Sequence, residues 1–124
     1  MNKEEVYQSF LNDNKGKGTL KVQIYIANQA IPISDVSVII EKEIAQFTYI
    51  IFEGKTNLDG IVDNIILPSP IIEDMDNPSF TTYKLKVSHK SYKIPDTFNI
   101  PIYSNQKMIQ YVNLIPLYQV NSNE

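Results

Sequence analysis

Apolar and polar residues alternate along several stretches of the chain, most regularly in residues 18–26, GTLKVQIYI. Every second position of this segment is apolar, at Leu20, Val22, Ile24 and Ile26. Because side chains of a β-strand point alternately to its two faces, this spacing predicts a strand with one buried and one exposed face.

Six later segments have the composition or alternation of strands and are separated by turn residues: 36–41, 47–53, 61–67, 83–88, 98–102 and 108–115. Asp59-Gly60 is the strongest turn signal, because glycine allows the positive φ that a tight hairpin needs. Residues 47–53 are apolar on both faces, so they predict a strand without indicating which face is buried. Seven short strands with turns at regular intervals predict an all-β, Ig-like sandwich.

Prolines mark the places where a regular ladder of hydrogen bonds is interrupted. Pro32 cannot occupy a central strand position, so it predicts a sheet edge or a bulge. Three more prolines bracket a segment, roughly residues 67–79, that we expect to be an irregular loop: Pro68, Pro70 and Pro78.

The N-terminal residues have helical spacing. Four apolar side chains between positions 3 and 12 share one face of a short amphipathic helix: Val6, Tyr7, Phe10 and Leu11. Residues 13–18 are polar, contain two glycines and predict a linker into the first strand.

The length of 124 residues predicts one domain with a single core. We expect residues 1–17 to form a helical or flexible extension, residues 18–118 the sandwich, and residues 119–124 a C-terminal tail. No cysteine is present, so packing must stabilise the fold without disulfides or thiolate zinc sites.

The charged residues argue against two classes of partner. All eleven cations are lysines, and arginine is the residue best suited to bidentate contacts with phosphate or guanine. A net charge of -3 also disfavours an anionic membrane surface. The sequence has no signal-peptide pattern and no apolar run of about 20 residues, which predicts a cytoplasmic location, with non-classical release to a spore or cell wall as an alternative.

Five segments in succession resemble a known domain family: GTLKVQIYI, AIPISDVSVII, KTNLDGIVDNIILPSP, TTYKLKVSHKSYKIP and QYVNLIPL. They are similar to the carboxypeptidase regulatory-like, or transthyretin-like (prealbumin-like), β-sandwich domain. The version most similar in order and spacing is the N-terminal domain of clostridial spore cortex-lytic and peptidoglycan-binding proteins. The resemblance covers roughly residues 18–117, and the LPSP and VNLIP pieces are its most specific parts.

Three positions depart from the family pattern: Val36 replaces a small alanine, Asn57 replaces the turn aspartate, and Ser91 replaces the glycine before Tyr92. The resemblance implies a seven-stranded sandwich that acts as an accessory module, with no catalytic residues to transfer. The enzyme that shares this fold, hydroxyisourate hydrolase, uses more than one histidine together with arginine. This chain has one histidine and no arginine, so the sequence excludes that activity.

The side chains that could carry chemistry are too few for a catalytic or metal site. His89 is the only histidine, and triads or zinc sites need further ligands, so we interpret it as a surface or structural residue. Glu73, Asp74 and Asp76 could ligate Ca²⁺, but they lack EF-hand spacing and are better explained as a solvated loop. No serine lies in a nucleophile elbow. We predict no catalytic residues, no cofactor, no metal and no enzymatic activity.

A partner surface is predicted on the outward face of the first and last strands. If these strands are neighbours, as the resemblance implies, then Tyr25, Ile109 and Tyr111 form an exposed cluster, and tyrosine suits protein interfaces. The alternative is that these side chains only support cross-strand pairing. Lys21 and Asn113 would lie on the same wet face, which argues against an isopeptide bond between them.

Two functions remain open from the sequence. The first is a non-catalytic accessory or protein-binding module, associated with spore or cell-wall lytic machinery. The second is a structural component of a phage-tail-like or surface assembly. In either case the expected partner is a protein, either a second copy or a larger cell-wall or particle component, and peptidoglycan contact is a further option through the tyrosines.

Overall fold

The computed structural model describes residues 1–27 and 29–117, and within them one helix precedes eight strands. The elements are α1 (Lys3–Asp13), β1 (Gly16–Ile26), β2 (Ile31–Pro32), β3 (Ser37–Ile44), β4 (Phe47–Lys55), β5 (Ile61–Ser69), β6 (Thr81–Ser88), β7 (Phe98–Ile102) and β8 (Lys107–Asn113). The predicted all-β sandwich is confirmed, with seven longer strands and the two-residue β2. The predicted C-terminal tail, residues 119–124, lies outside the described residues. No helix in the described part of the chain is long and apolar enough to cross a membrane.

The first sheet, here called sheet A, is built around β1. One edge of β1 pairs antiparallel with β5 and then, near its end, with β2. The other edge pairs in parallel with β8, from Thr19 opposite Lys107 to Tyr25 opposite Asn113. The first and last strands are therefore neighbours in one sheet, and the last strand runs in the same direction as the first.

The second sheet, here called sheet B, is antiparallel throughout and has the order β4-β3-β6-β7. Its central pairing sets Val38 opposite Val87 and Ile40 opposite Leu85. These four side chains are buried, so the inner face of sheet B faces the inner face of sheet A.

The core lies between the two sheets. Its fully buried side chains come from both inner faces and include Leu20, Val22, Ile24, Val38, Ile40, Ile65, Leu67, Tyr83, Leu85, Ile102 and Val112. The alternation read from β1, β6 and the end of β8 predicted the correct buried face in all three strands. Ile26, at the end of β1, is only partly buried.

Two bulges reverse the alternation, one in β5 and one in β4. In β5, Val62 pairs with Val22 and Ile65 pairs with Leu20, so one extra residue is accommodated near Asn64, whose φ is 56°. Val62 and Ile65 therefore both face the core although they are three positions apart.

The second bulge lies in β4, where Ile40 pairs with Phe52 but the next residue, Glu41, pairs with Ile50. Ile51 is the extra residue. Ile51 and Phe52 both pack against the core, whereas Ile50 points to solvent. A segment that is apolar on both faces is thus explained by a change of phase within one strand.

The expected loop over residues 67–79 was placed too early in the chain. Leu67, Pro68 and Ser69 belong to β5, and the irregular segment begins at Pro70. Pro68 pairs with Lys17, and the odd-numbered residues of β1 direct their N–H and C=O groups to β8. The ladder therefore needs no N–H from residue 68, and a proline fits there.

The expected linker over residues 13–18 is also shorter than predicted, because β1 begins at Gly16. The helix before it runs from Lys3 to Asp13, one residue further than the predicted range of 3–12. Asn2 and Glu5 form a capping box, with the Glu5 N–H donating to Asn2 Oδ1 at 2.8 Å. Val6 and Phe10 are buried against the sandwich.

The predicted turn at Asp59-Gly60 is confirmed, with Gly60 at a φ of 74°. Asn57 organises this turn, since its Oδ1 accepts hydrogen bonds from the N–H groups of Asp59 and Ile61 at 2.9 and 3.0 Å. Asparagine supplies a side-chain acceptor here, as an aspartate would.

Candidate functional site

The three residues predicted as a partner surface lie on the outer face of sheet A. Ile109 and Tyr111 are each 45% exposed, and Tyr25 is half-buried. The parallel pairing of β1 with β8 determines which residues lie side by side in a row across the strands. It places Lys21 beside Ile109 and Gln23 beside Tyr111. The structure thus brings the three side chains onto one face, and their use as a docking surface remains a prediction.

Polar contacts among the described residues of this face are few, and one of them involves Tyr25. The Tyr25 hydroxyl donates to Gln23 Oε1 at 2.9 Å, and Gln23 lies between Tyr25 and Tyr111. At the other end of the face, Lys107 Nζ lies 3.2 Å from Asp63 Oδ1. The pKa of Asp63 is lowered, first by the hydrogen bond that the Asn64 N–H donates to it and then by Lys107.

Two residues that were not predicted from the sequence enlarge this apolar surface. Ile61 pairs with Gln23 and therefore lies in the same row as Tyr111, and Ile66 is 62% exposed on the outer face of β5. Both point outward because the bulge at Asn64 changes the phase of β5. The Asp63-Asn64 pair was the available signal, since these residues tolerate the left-handed backbone that such a bulge needs. We call Tyr25, Ile61, Ile109 and Tyr111 the outer patch.

Lys21 and Asn113 are not brought together by the structure. Lys21 pairs with Ile109, whereas Asn113 pairs with Tyr25, four positions further along β1. Lys21 is half-buried on the outer face and Asn113 is exposed. Neither side chain lies in the apolar interior that isopeptide chemistry would need.

The sole histidine lines an open cleft of about 810 Å³ at one end of the sandwich. Its walls also include Asp35, Lys55, Lys90, Tyr92 and Lys93. His89 Nδ1 accepts a hydrogen bond from the Ser91 N–H at 3.1 Å, and its ring meets the Tyr92 ring edge-on at 5.2 Å. These contacts explain His89 as a residue that shapes the segment between β6 and Tyr92.

The cleft does not assemble a recognisable catalytic group among the described residues. The hydrogen bonds of His89 and the serines there include no serine hydroxyl paired with the imidazole, and Lys55 is paired with Asp35 at 3.5 Å. Across residues 1–27 and 29–117, no three His, Asp or Glu side chains are grouped to hold a metal ion. In the acidic loop, Asp74 Oδ1 instead accepts a local hydrogen bond from the Asp76 N–H at 3.0 Å.

Two inner-facing titratable groups meet at the edge of the core. Burial and then the nearby charge of Lys84 lower the pKa of Lys42, whose ammonium donates to the Thr82 carbonyl at 2.8 Å. Burial raises the pKa of Tyr83 well above its usual value, and its hydroxyl donates to the Pro68 carbonyl at 2.5 Å. This last bond joins sheet B to sheet A, so both groups are explained by the packing of the sandwich.

Comparison with known proteins supports the architecture. No family model and no curated protein matches the chain. The structure is similar to the Bacillus anthracis TIE protein, with a TM-score of 0.54 and 12% identity over 82% of this chain and 17% of that one. It is also similar to GBS52, the minor pilin of Streptococcus agalactiae, with a TM-score of 0.56 and 11% identity over 86% of this chain and 47% of that one.

The chain is a β-sandwich domain. It spans less than half the length of either similar structure, and at these identities the likeness shows the fold alone. The narrower likeness to spore cortex-lytic proteins rests on the sequence segments and remains a prediction.

Proposed function

We propose that this domain is a non-catalytic protein-binding module of a surface or particle assembly. The observation that carries the proposal is the outer patch, where four apolar or aromatic side chains share a sheet face that the rest of the described chain leaves open. Tyrosine and isoleucine on a sheet face offer contact area with little side-chain entropy to lose, which suits a protein interface.

The architecture of the similar structures supports an assembly role over an accessory role in a lytic enzyme. One of them, GBS52, is the minor pilin of a Gram-positive pathogen. A role beside spore or cell-wall lytic machinery is supported by the five sequence segments that resemble the domain of spore cortex-lytic proteins. Neighbouring genes would separate the two, because tail or pilus genes favour assembly and a lytic enzyme or germination protease favours the accessory role.

A double substitution on the outer patch tests the proposal. Tyr25→Ser with Tyr111→Ser removes both aromatic side chains and leaves the inward positions of β1 and β8 unchanged. We expect this variant to lose the partner that the wild-type domain captures from an extract of the source organism. The thermal midpoint should stay nearly the same, because both side chains lie on the outer face of sheet A and not in the core.

Ile50→Ser is the matched control, since Ile50 is 57% exposed on the outer face of sheet B. It should capture the same partner as the wild type. Equal capture by the double variant, the control and the wild type would contradict the proposal.

A further inference from the structure

The outer edge of β8 carries backbone groups that no described strand pairs with. The Leu114 N–H donates to the Tyr25 carbonyl, and the Thr19 N–H donates to the Gln106 carbonyl. Even-numbered residues of this segment therefore direct their backbone groups toward β1. By the alternation of a β-strand, Lys107, Ile109, Tyr111 and Asn113 direct their N–H and C=O groups the other way.

The other described sheet edges carry features that discourage pairing with another chain. β7 contains Pro101, β2 is two residues long and ends in Pro32, β5 contains Pro68 and the bulge at Asn64, and β4 contains the bulge at Ile51. Prolines, bulges and short strands are the usual means of protecting an edge. β8, with seven regularly paired residues, has none of the three.

We propose that a second copy of this chain pairs antiparallel with β8, with Gln110 on the two-fold axis. The proposal rests on the protein-binding role above and adds a contact between two copies of the chain, with its register. An antiparallel ladder centred on residue 110 sets Ile109 opposite Tyr111 of the second copy, and Lys107 opposite Asn113 of the second copy. All these residues direct their backbone groups outward, so each pair forms two hydrogen bonds, about eight in all.

The side chains are compatible with this register. Ile109 and Tyr111 form a β-branched and aromatic cross-strand pair twice, once on each side of the axis, and such pairs stabilise antiparallel strands. Lys107 faces an asparagine, so no like charges are opposed. The two outer patches then become one continuous apolar surface across the joined sheets.

The structure also limits the length of β8 along which a second copy could pair. Beyond Asn113, the Ile115 carbonyl accepts the Lys93 N–H at 2.9 Å, so the segment around Tyr92 occupies the edge there. Within β8, the Tyr111 carbonyl accepts the Gln110 side-chain amide at 2.9 Å, a neighbouring contact that a second copy would share or replace. The open edge thus matches the length of β8 itself.

A cysteine at the axis tests the register, because the natural chain contains no cysteine. Residue 110 and its copy would form a non-hydrogen-bonded pair with Cα atoms about 4.5 Å apart, within the range for a disulfide. We expect Gln110→Cys to form a disulfide-linked dimer under mild oxidation in dilute, full-length protein. Asn113→Cys is the matched control, since its two copies would lie about 20 Å apart and should not cross-link.

A mixture of Lys107→Cys and Asn113→Cys chains should form a mixed dimer, because these positions are opposed across the axis. Equal cross-linking of Gln110→Cys and Asn113→Cys, or none by Gln110→Cys, would overturn the proposed register.

Proline at the edge tests the hydrogen bonds. Ile109→Pro removes an N–H that β1 does not use, whereas Ile109→Thr removes the same apolar side chain and keeps that N–H. In sedimentation at increasing concentration, we expect the threonine variant to retain a dimer and the proline variant to stay monomeric. Both should keep thermal midpoints near that of the wild type. A dimer of unchanged affinity in the proline variant would refute edge pairing.

The two proposals fail separately. Tyr25 lies on β1, away from the edge, so Tyr25→Ser should weaken partner capture without affecting the residue 110 cross-link. Loss of capture by Tyr25→Ser, together with no cross-link in Gln110→Cys, would leave patch binding standing and overturn edge pairing. Cross-linking of Gln110→Cys together with unaltered capture by Tyr25→Ser would leave edge pairing standing and overturn patch binding.

Discussion

The two sheets of this domain share one core but present different outer faces. On sheet B, Lys86 lies 2.9 Å from Glu41 and Lys84 lies 3.4 Å from Glu43, so charged pairs cross its central strands. On sheet A, the corresponding area is the outer patch, with one ion pair at its end between Lys107 and Asp63. The difference favours sheet A over sheet B as the face that we propose to contact protein.

The largest expected effect concerns the inner faces, where the two sheets should behave alike. Ile24→Ala in sheet A and Leu85→Ala in sheet B each remove a fully buried side chain. Each should lower the free energy of unfolding by about 2–5 kcal/mol, as for other large-to-small core substitutions. Urea denaturation measures both. A cost below 1 kcal/mol for only one of them would show that the sheets also differ inside.

A smaller loss is expected where β1 approaches the turn after β7. A Cβ atom on Gly18 would lie 2.4 Å from the Tyr103 carbonyl oxygen, so this position needs a glycine. Gly18→Ala should cost about 1–3 kcal/mol through strain, measured by the same denaturation. Thr19→Ala next to it is the control. Equal stability of Gly18→Ala and the wild type would contradict the close approach of sheet A to this turn.

The hydroxyl of Tyr83, which links the sheets through the Pro68 carbonyl, should contribute about 0.5–1.5 kcal/mol at neutral pH. Tyr83→Phe measures this contribution. Burial raises the pKa of Tyr83 in the folded state, so the unfolded state loses its proton first. The associated stability is present below about pH 10 and declines as the pH rises above that value, by up to about 1.4 kcal/mol per pH unit.

Denaturation at pH 7 and pH 11 compares the two proteins under the same conditions. The wild type should lose more stability than Tyr83→Phe over this interval. An equal loss would show that Tyr83 is not protected from ionisation by the core.

The smallest effect should be on the outer face of sheet B. The Lys86 and Glu41 pair is partly solvated, so a double-mutant cycle with Lys86→Ala and Glu41→Ala should give a coupling of about 0.2–1 kcal/mol. Neither substitution should alter partner capture or dimer cross-linking. Loss of partner capture or of dimer cross-linking in these variants would contradict the proposed difference between the two outer faces.

How far the sequence predicts this structure depends on whether a strand is interrupted. In β1 and β6 the alternation is unbroken, and the buried faces followed from it directly. In β4 and β5 one extra residue, Ile51 or the residue at Asn64, shifts the phase, so no single alternation describes either strand. Ile61 and Ile66 were therefore missed as members of the exposed apolar surface.

The second feature that the sequence does not predict is which strands pair with each other. That β8 lies beside β1 came from resemblance to a family, because alternation within a strand carries no information about its neighbour. The open edge of β8 likewise depends on which backbone groups β1 uses, and this requires the register of the pairing. Tyr25, Ile109 and Tyr111 could be assigned to outward positions, but their arrangement in rows could not.

The parallel pairing of β1 with β8 also determines how the sandwich responds to force. The chain enters the sheets through β1 and leaves through β8, so tension between residues 15 and 115 pulls the two strands past each other. The seven pairs from Thr19–Lys107 to Tyr25–Asn113 are then loaded together. Tension between Gly16 and Ser69, which pair at one end of β1 and β5, opens bonds one after another. Single-molecule pulling should therefore show a higher rupture force for the first attachment than for the second, a property suited to a module held within an assembly.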